Sequence, residues 1–233
     1  MRDAVIVSTA RTPLTKAARG AFNNTTGATL GGWSIKAAVE RAGIEGGEVD
    51  DVVMGCAVQQ GSTGGKVARL AALLAGLPVS VPAQTIDSQC SSGLKTIATA
   101  AKQGLVDHMD MCVAGGVESI SKVSGSGKLF IEPDRELLEM HPDIYMPMIG
   151  TAEVVAKRYD ISREYQDEYS LQSQQRTAAA QDSGKFDDEN IPCTTTMAVM
   201  DKETKEVSYH EVTADRDDCN RPNTTLEGLA SLK

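Results

Sequence analysis

Val81-Pro82-Ala83-Gln84-Thr85-Ile86 runs through Asp87-Ser88-Gln89 into Cys90-Ser91-Ser92-Gly93-Leu94-Lys95-Thr96-Ile97-Ala98. The first part reads as a short strand. The second opens an amphipathic helix, with Leu94, Ile97, Ala98, Ala101 and Leu105 tracing one face at helical spacing. Cys90 therefore sits where strand turns into helix. A thiol there meets unpaired backbone N–H groups and the positive end of the helix dipole, and both favour the thiolate. The thiolate is the nucleophilic form. A small residue chosen only to fit a tight turn is the competing reading.

Working outward from this stretch, strand and helix signals alternate over the first 120 or so residues. Ala4 to Ala10 reads as a buried strand, and Ala28 to Arg41 as a helix ended by Gly43. Asp51 to Gln59 holds a second apolar strand. Lys66 to Ala75 carries Val67, Leu70, Ala71 and Leu74 at helical spacing, with Gly76 and Pro78 as stop signals. Met109 to Ala114 gives a fourth strand, closed by Gly115-Gly116. Helices alternating with continuous apolar strands predict an α/β unit with a mostly parallel sheet.

From about Val123 the character changes. Ser124-Gly125-Ser126-Gly127 reads as a connection, and the segment to Gly150 is rich in Pro, Met and charge. Helices are expected over Thr151 to Tyr159 and Ser162 to Ser183, with Tyr165, Tyr169, Gln172, Arg176 and Ala179 marking one face of the longer one. Ile191 to Met200 and Glu206 to Val212 read as a hairpin around Asp201-Lys202-Glu203-Thr204-Lys205. The chain is thus expected to divide into residues 1–121 and a mixed α+β unit at 122–233.

The totals bound the function. A chain of 233 residues with 41% hydrophobic and 24% charged residues can bury a full core. Its formal charge of -9 argues against nucleic-acid binding, which draws on a basic surface. No run approaches roughly 18 uncharged apolar residues, so no membrane span is expected. The apolar run at Ala4 to Val7 is too brief for a signal peptide, and the final Ser231-Leu232-Lys233 is not a peroxisomal address. Five cysteines without a C-x-x-C pair fit a reducing compartment and no zinc site. A cytoplasmic protein is expected, with an organelle matrix as the other option.

Among the cysteines, Cys56, Cys112 and Cys193 lie in apolar strands and read as core packing. Cys219 stands among Asp215, Asp217 and Asp218, where neighbouring carboxylates disfavour a thiolate. Gly61-Ser62-Thr63-Gly64-Gly65-Lys66 resembles a phosphate loop, but Gln60 and Val67 occupy the positions that loop reserves for Gly and Ser/Thr. Gly125 to Phe130 fails the dinucleotide fingerprint. His108, His141 and His210 read as solvated turn or hairpin residues, none with the context of a general base.

Gln89-Cys90-Ser91-Ser92-Gly93-Leu94 resembles the acyl-enzyme motif of the thiolases, the acetyl-CoA acyltransferases. The likeness extends along the chain through Val7-Ser8-Thr9-Ala10-Arg11-Thr12-Pro13, Ala68-Arg69 to Pro78, and Ala114-Gly115-Gly116-Val117-Glu118-Ser119-Ile120-Ser121. Met148 to Glu153, Ser162-Arg163-Glu164, Ser173-Gln174-Gln175 and Arg221-Pro222-Asn223-Thr224-Thr225-Leu226-Glu227 resemble the family's CoA-binding loop domain.

The resemblance implies a thiolase-like fold, with the first βαβαβαβ repeat at 1–121 and a CoA-binding loop domain at 122–233. It implies that Cys90 attacks an acyl thioester or a 3-ketoacyl-CoA and carries the acyl group as a thioester. The Cys90 N–H would contribute to an oxyanion hole. Met148 would touch the reacting end of CoA, and Arg221, Gly228 and Leu232 would hold its nucleotide and pantetheine. An arginine suits phosphates because its planar fork bonds two oxygens at once. CoA is then a substrate, with no cofactor and no metal, and a dimer or tetramer is expected.

The sequence also departs from the family. Asp87-Ser88 stands where Asn-Arg is frequent, and Pro147 precedes Met148 where some biosynthetic members carry histidine. The family's Gly-His-Pro base and Cys-x-Gly-Gly-Gly proton shuttle, both from its second half, do not occur in these 233 residues; Met140-His141-Pro142 lacks the glycine. The expectation is that the second repeat comes in cis or on another chain. A non-catalytic acyl-CoA-binding or assembly subunit built on thiolase parts is the alternative, and the CoA-type loop domain disfavours a carrier-protein condensing enzyme.

Overall fold

A computed structural model describes residues 2–123 and 131–232. The expected connection at Ser124 to Gly127 and the failed fingerprint at Gly125 to Phe130 lie outside them. Two compact units emerge: residues 1–129 with 188–219, and residues 130–187 with 220–233.

In the first unit, α1 (Gly27–Ala42) begins where the Thr26 hydroxyl accepts a hydrogen bond from the Thr29 N–H, and ends at Gly43 in the left-handed region, φ 69°. The strand β1 (Asp51–Gly55) is buried along its whole length. It pairs in parallel with β2 (Ala83–Ile86) on one side and β3 (Cys112–Gly116) on the other, giving the order β2-β1-β3. Side chains alternate across a strand. Val52 and Met54 of β1 join the main core with Ile35, Val39, Ala68 and Ala71, the last two from α2 (Val67–Leu74). A Cβ at Gly31 would come within 2.9 Å of the Ala71 Cβ, so glycine lets α1 and α2 approach closely. Gly55 points the other way, against α3 (Ser92–Val106).

The helix α3 presents its faces in an unexpected sense. Its buried residues are Ser92 and Thr96, and the Thr96 hydroxyl donates to the carbonyls of Gly93 and Gly115. The apolar stripe predicted from the sequence points outward instead, with Leu94 72% exposed and Ile97 also exposed. Ala4 to Ala10 is likewise corrected: it forms no strand, and Val5, Ile6 and Val7 are 76, 73 and 68% exposed. Its apolar side chains have no partner layer among the described residues. The predicted second strand stops at Gly55, short of Gln59.

The hairpin of β4 (Cys193–Met200) and β5 (Val207–Ala214) is antiparallel, with Cys193 opposite Ala214. The boundary expected at residues 121 and 122 puts this hairpin with the second unit, whereas it packs on the first. Cys193 and Ala214 cluster with Phe22 and Leu30, and the Asn23 side chain bonds both the N–H and the carbonyl of Ala198. Arg11 ties the following loop down. Its Nη1 and Nη2 donate to the two Asp217 oxygens at 2.7 and 2.8 Å, and its Nε donates to Glu189 at 2.8 Å.

The second unit contains α5 (Arg135–Met140), α6 (Met148–Arg158), α7 (Arg163–Asp182) and α8 (Leu226–Ala230), after α4 (Ile120–Val123) has closed the first stretch. Ser162 caps α7 through the Tyr165 N–H. Its face of Tyr165, Tyr169, Gln172, Arg176 and Ala179 is the exposed one, and Asp167, Leu171 and Gln174 turn inward. Among the described residues no helix is long and apolar enough to cross a membrane.

Candidate active site

Cys90 lies in a 3-10 turn, Gln89–Ser91, between β2 and the first residue of α3. It is exposed. The preceding Gln89 holds a positive φ of 50°, a conformation that costs a residue with a Cβ about 1–2 kcal/mol. The surroundings hold it there. The Asp87 carboxylate accepts from the Gln89 N–H at 2.7 Å. The buried Ser92 hydroxyl accepts from the Ser88 N–H at 2.9 Å and donates to the Gln89 carbonyl at 2.6 Å. Ser91 donates its hydroxyl to the Ser88 carbonyl at 2.7 Å.

Behind this turn the sheet offers glycine. A Cβ at Gly55 would stand 2.6–2.8 Å from the Ser92 backbone and Cβ, and the Gly116 position lies close to the Gly93 Cα. The two strand glycines let α3 sit directly on the sheet, which fixes the depth of its N-terminus. No side chain caps the start of α3 at Ser91. The first-turn N–H groups of such a helix favour developing negative charge at the turn that carries Cys90.

Of the remaining cysteines, Cys56 and Cys193 are buried as expected, whereas Cys112, expected in the core, is only partly buried. Burial, followed by the charge of Glu118, pushes the Cys56 thiol up from its ordinary range. Burial and then the charges of Asp51 and Asp50 do the same at Cys112. Burial alone raises Cys193 to about 11. Cys219 is exposed. His108, His141 and His210 are all exposed, and His210 Nε2 shares a 2.8 Å hydrogen bond with Ser208. Among the described residues no group of His, Cys, Asp and Glu side chains is placed to hold a metal ion.

Within the second unit, Arg221, Gly228 and Leu232 line one open hollow of about 540 Å³, together with Ser170, Gln174 and Thr225. Met148 lines a different, largely apolar hollow of about 290 Å³ with Ala152, Val155 and Ile161. The structure thus brings three of the four predicted CoA residues to one place and puts Met148 in another. The segment carrying the three is fastened to α7. Gln174 Oε1 accepts from the Arg221 N–H at 2.7 Å, and Arg163 Nη2 donates to the carbonyls of Leu229 and Leu232 at 2.6 and 3.1 Å.

Sequence reasoning singled out Cys90 but not Ser92 or Gly55. An isolated glycine inside the apolar run of β1 was the available signal, since such a glycine marks close backbone approach.

The family model for the thiolase N-terminal domain matches residues 4–233. The chain belongs to the thiolase family. It is 40% identical over its whole length to a 3-ketoacyl-CoA thiolase of Bacillus subtilis, strain 168, and covers 59% of that protein. A human peroxisomal 3-ketoacyl-CoA thiolase is 38% identical over 99% of the chain, which covers 53% of it. The crystal structure of the Bacillus anthracis acetyl-CoA acetyltransferase matches all of the chain with a TM-score of 0.82 at 34% identity, and the chain covers 59% of that structure. The thiolase-like α/β fold with a parallel sheet is therefore established. This thiolase chain spans between half and three-fifths of the length of these relatives.

Proposed function

We propose that the chain is the acyl-accepting portion of a thiolase-type acyltransferase, with Cys90 as the residue that carries the acyl group. The observation that carries this reading is the exposed Cys90 on a braced turn ahead of an uncapped helix start, within a thiolase N-terminal domain. The relatives' names, 3-ketoacyl-CoA thiolase and β-ketoadipyl-CoA thiolase among them, favour a 3-ketoacyl-CoA as substrate.

In the degradative direction the Cys90 thiolate attacks the keto carbon of a 3-ketoacyl-CoA. The carbonyl electrons move to oxygen and are held by backbone N–H donors at the start of α3. When the carbonyl re-forms, the bond between C2 and C3 breaks. The acyl group stays on Cys90, and the departing acetyl-CoA carbanion takes a proton. The thiolate of free CoA then attacks the acyl-Cys90 thioester, releasing the shortened acyl-CoA and regenerating the thiolate. Condensation of two acetyl groups is the reverse sequence.

CoA acts here as substrate, with no separate cofactor. Arg221, Gly228 and Leu232, which share one hollow, would hold the nucleotide and pantetheine, and Met148 would meet the reacting end. The side chains of Leu94 and Ile97 on α3 and of Val5, Ile6 and Val7 supply apolar surface for a further layer of protein. We propose that the rest of the relatives' length, in cis or on another chain, covers it and brings the base for Cys90 and the proton shuttle. Assembly as a dimer or tetramer is part of the same proposal. Since the names of several relatives specify peroxisomes, either the cytoplasm or an organelle matrix suits the protein.

The test is thiolysis. Acetoacetyl-CoA and CoA are incubated with the native protein and its Cys90→Ser form, and acetyl-CoA is quantified. Turnover in the first that is abolished in the second supports the proposal. Tight CoA binding without turnover in either points to an acyl-CoA-binding or assembly subunit.

A further inference from the structure

The braced turn contains a residue whose chemistry the reaction does not consume. Ser92 is buried, with 5% of its surface exposed. Its hydroxyl reaches backwards out of α3, accepting from the Ser88 N–H and donating to the Gln89 carbonyl. A serine near a helix start ordinarily spends its oxygen on that helix's own N–H groups. Ser92 instead grips the two residues immediately before Cys90. One of them, Gln89, is held at φ 50° without the freedom of a glycine. Such strain persists only where the surroundings over-determine it.

The Ser92 end of the grip is buried, while Ser88 and Gln89 are exposed. Gly55 lies so close that a methyl there would stand 2.7 Å from the Ser92 Cβ. A hydrogen bond is electrostatically stronger where one partner is removed from water, and the buried hydroxyl is that partner in both bonds. The same helix provides an internal comparison. Thr96 is also buried and its hydroxyl also makes two hydrogen bonds to backbone, but both go to carbonyls, those of Gly93 and Gly115, and neither reaches Ser88 or Gln89.

We infer that Ser92 is a positioning residue, which sets the direction of Cys90 by clamping Ser88 and Gln89 and does so without touching the sulfur. The inference rests on the reading of Cys90 as the acyl acceptor. It goes beyond that reading by assigning the orientation of the nucleophile to one buried hydroxyl.

The experiment compares Ser92→Ala with Thr96→Val in the full-length protein. Each substitution removes one buried hydroxyl with little change in volume, and thermal unfolding reports the stability of each. Acetylation of Cys90 from acetyl-CoA is followed in a single turnover. Ser92→Ala is expected to slow it by about 10- to 100-fold, the scale of a small misplacement of a reacting group, with the acetyl-CoA concentration for half-maximal rate unchanged. Thr96→Val is expected to stay within about twofold of the parent, the loss of a bond remote from the reacting atoms.

A parent-like rate in Ser92→Ala overturns the inference, and so does an equal loss in Thr96→Val. Alkylation of Cys90 by iodoacetamide gives a second readout that needs no acyl transfer. Its pH–rate profile should change in Ser92→Ala and overlay the parent in Thr96→Val; overlaid profiles in all three forms overturn the inference. If the parent itself acquires no acetyl group on Cys90, the acyl-acceptor reading fails while the alkylation profiles still decide the role of Ser92.

Discussion

Gly55→Ala should disable Cys90 from beneath, through a contact that never reaches the sulfur. The added methyl would stand 2.6 Å from the Ser92 carbonyl carbon, 2.7 Å from its Cβ and 2.8 Å from its carbonyl oxygen. Carbon atoms pack best at about 3.5–4.0 Å, so the start of α3 has to retreat by roughly 1 Å. Neither side yields easily, because β1 is buried between β2 and β3 and the obstacle includes backbone. Overpacking of this kind costs about 1–3 kcal/mol, and each kcal/mol lowers the melting temperature of a chain this size by roughly 2–4 °C. Since Ser92 carries the clamp on Ser88 and Gln89, the retreat also moves Cys90, and a misplacement of about 1 Å costs on the order of 100-fold in rate.

Gly93→Ala serves as the control. A Cβ at 93 meets nothing within 4 Å, so alanine should stabilise α3 by about 0.5–1 kcal/mol. Calorimetry and single-turnover acetylation of Cys90 measure both variants. A Gly55→Ala protein with the parent's melting temperature and acetylation rate would refute the packing argument.

Three further outcomes follow from the same structure. The Arg11 hydrogen bonds hold the Asp217 carboxyl below its usual range. The stability it contributes is therefore present above the unfolded carboxylate value of about 3.9 and lost as pH falls through the lower, folded value. Asp217→Asn should cost about 1–3 kcal/mol at neutral pH. Denaturant titrations should find that gap closing below about pH 4, and a gap independent of pH would contradict the account. Sub-stoichiometric iodoacetamide near neutral pH, read by peptide mass mapping, should label Cys90 ahead of Cys56, Cys112 and Cys193, whose thiols burial pushes up. Equal labelling of all five cysteines would contradict it. Finally, Arg163→Ala frees the carbonyls of Leu229 and Leu232. It should speed amide exchange over residues 226–232 by about tenfold while leaving the hairpin at 193–214 unchanged.

The parts of the fold that local chemistry decides were legible in the sequence. The helix α2, the end of α1 at Gly43, the extent of α7 and the hairpin around Asp201 follow from spacing, stop signals and turn residues within a few positions. Cys90 was legible for the same reason, because a strand-to-helix turn is a local event. Burial was not, because it depends on distant partners. Ala4 to Ala10 has the composition of a buried strand, yet Val5, Ile6 and Val7 lie exposed. Periodicity located the apolar face of α3 but could not say that the sheet takes the opposite one, where Ser92 packs against Gly55 and the Thr96 hydroxyl donates to the Gly115 carbonyl. The hairpin's place with the first unit rests on Phe22, Asn23 and Leu30, some 170 residues upstream. The clamp at Ser92 was invisible because serine near a helix start has an ordinary explanation.

The most direct test of the central claim is to mix the native protein with acetyl-CoA, quench in acid and map the acetyl group by peptide mass spectrometry. The account predicts a stoichiometric thioester on Cys90 that free CoA removes and that Cys90→Ser never acquires. An acetyl group on another residue, or bound acetyl-CoA that leaves Cys90 unmodified, would contradict it.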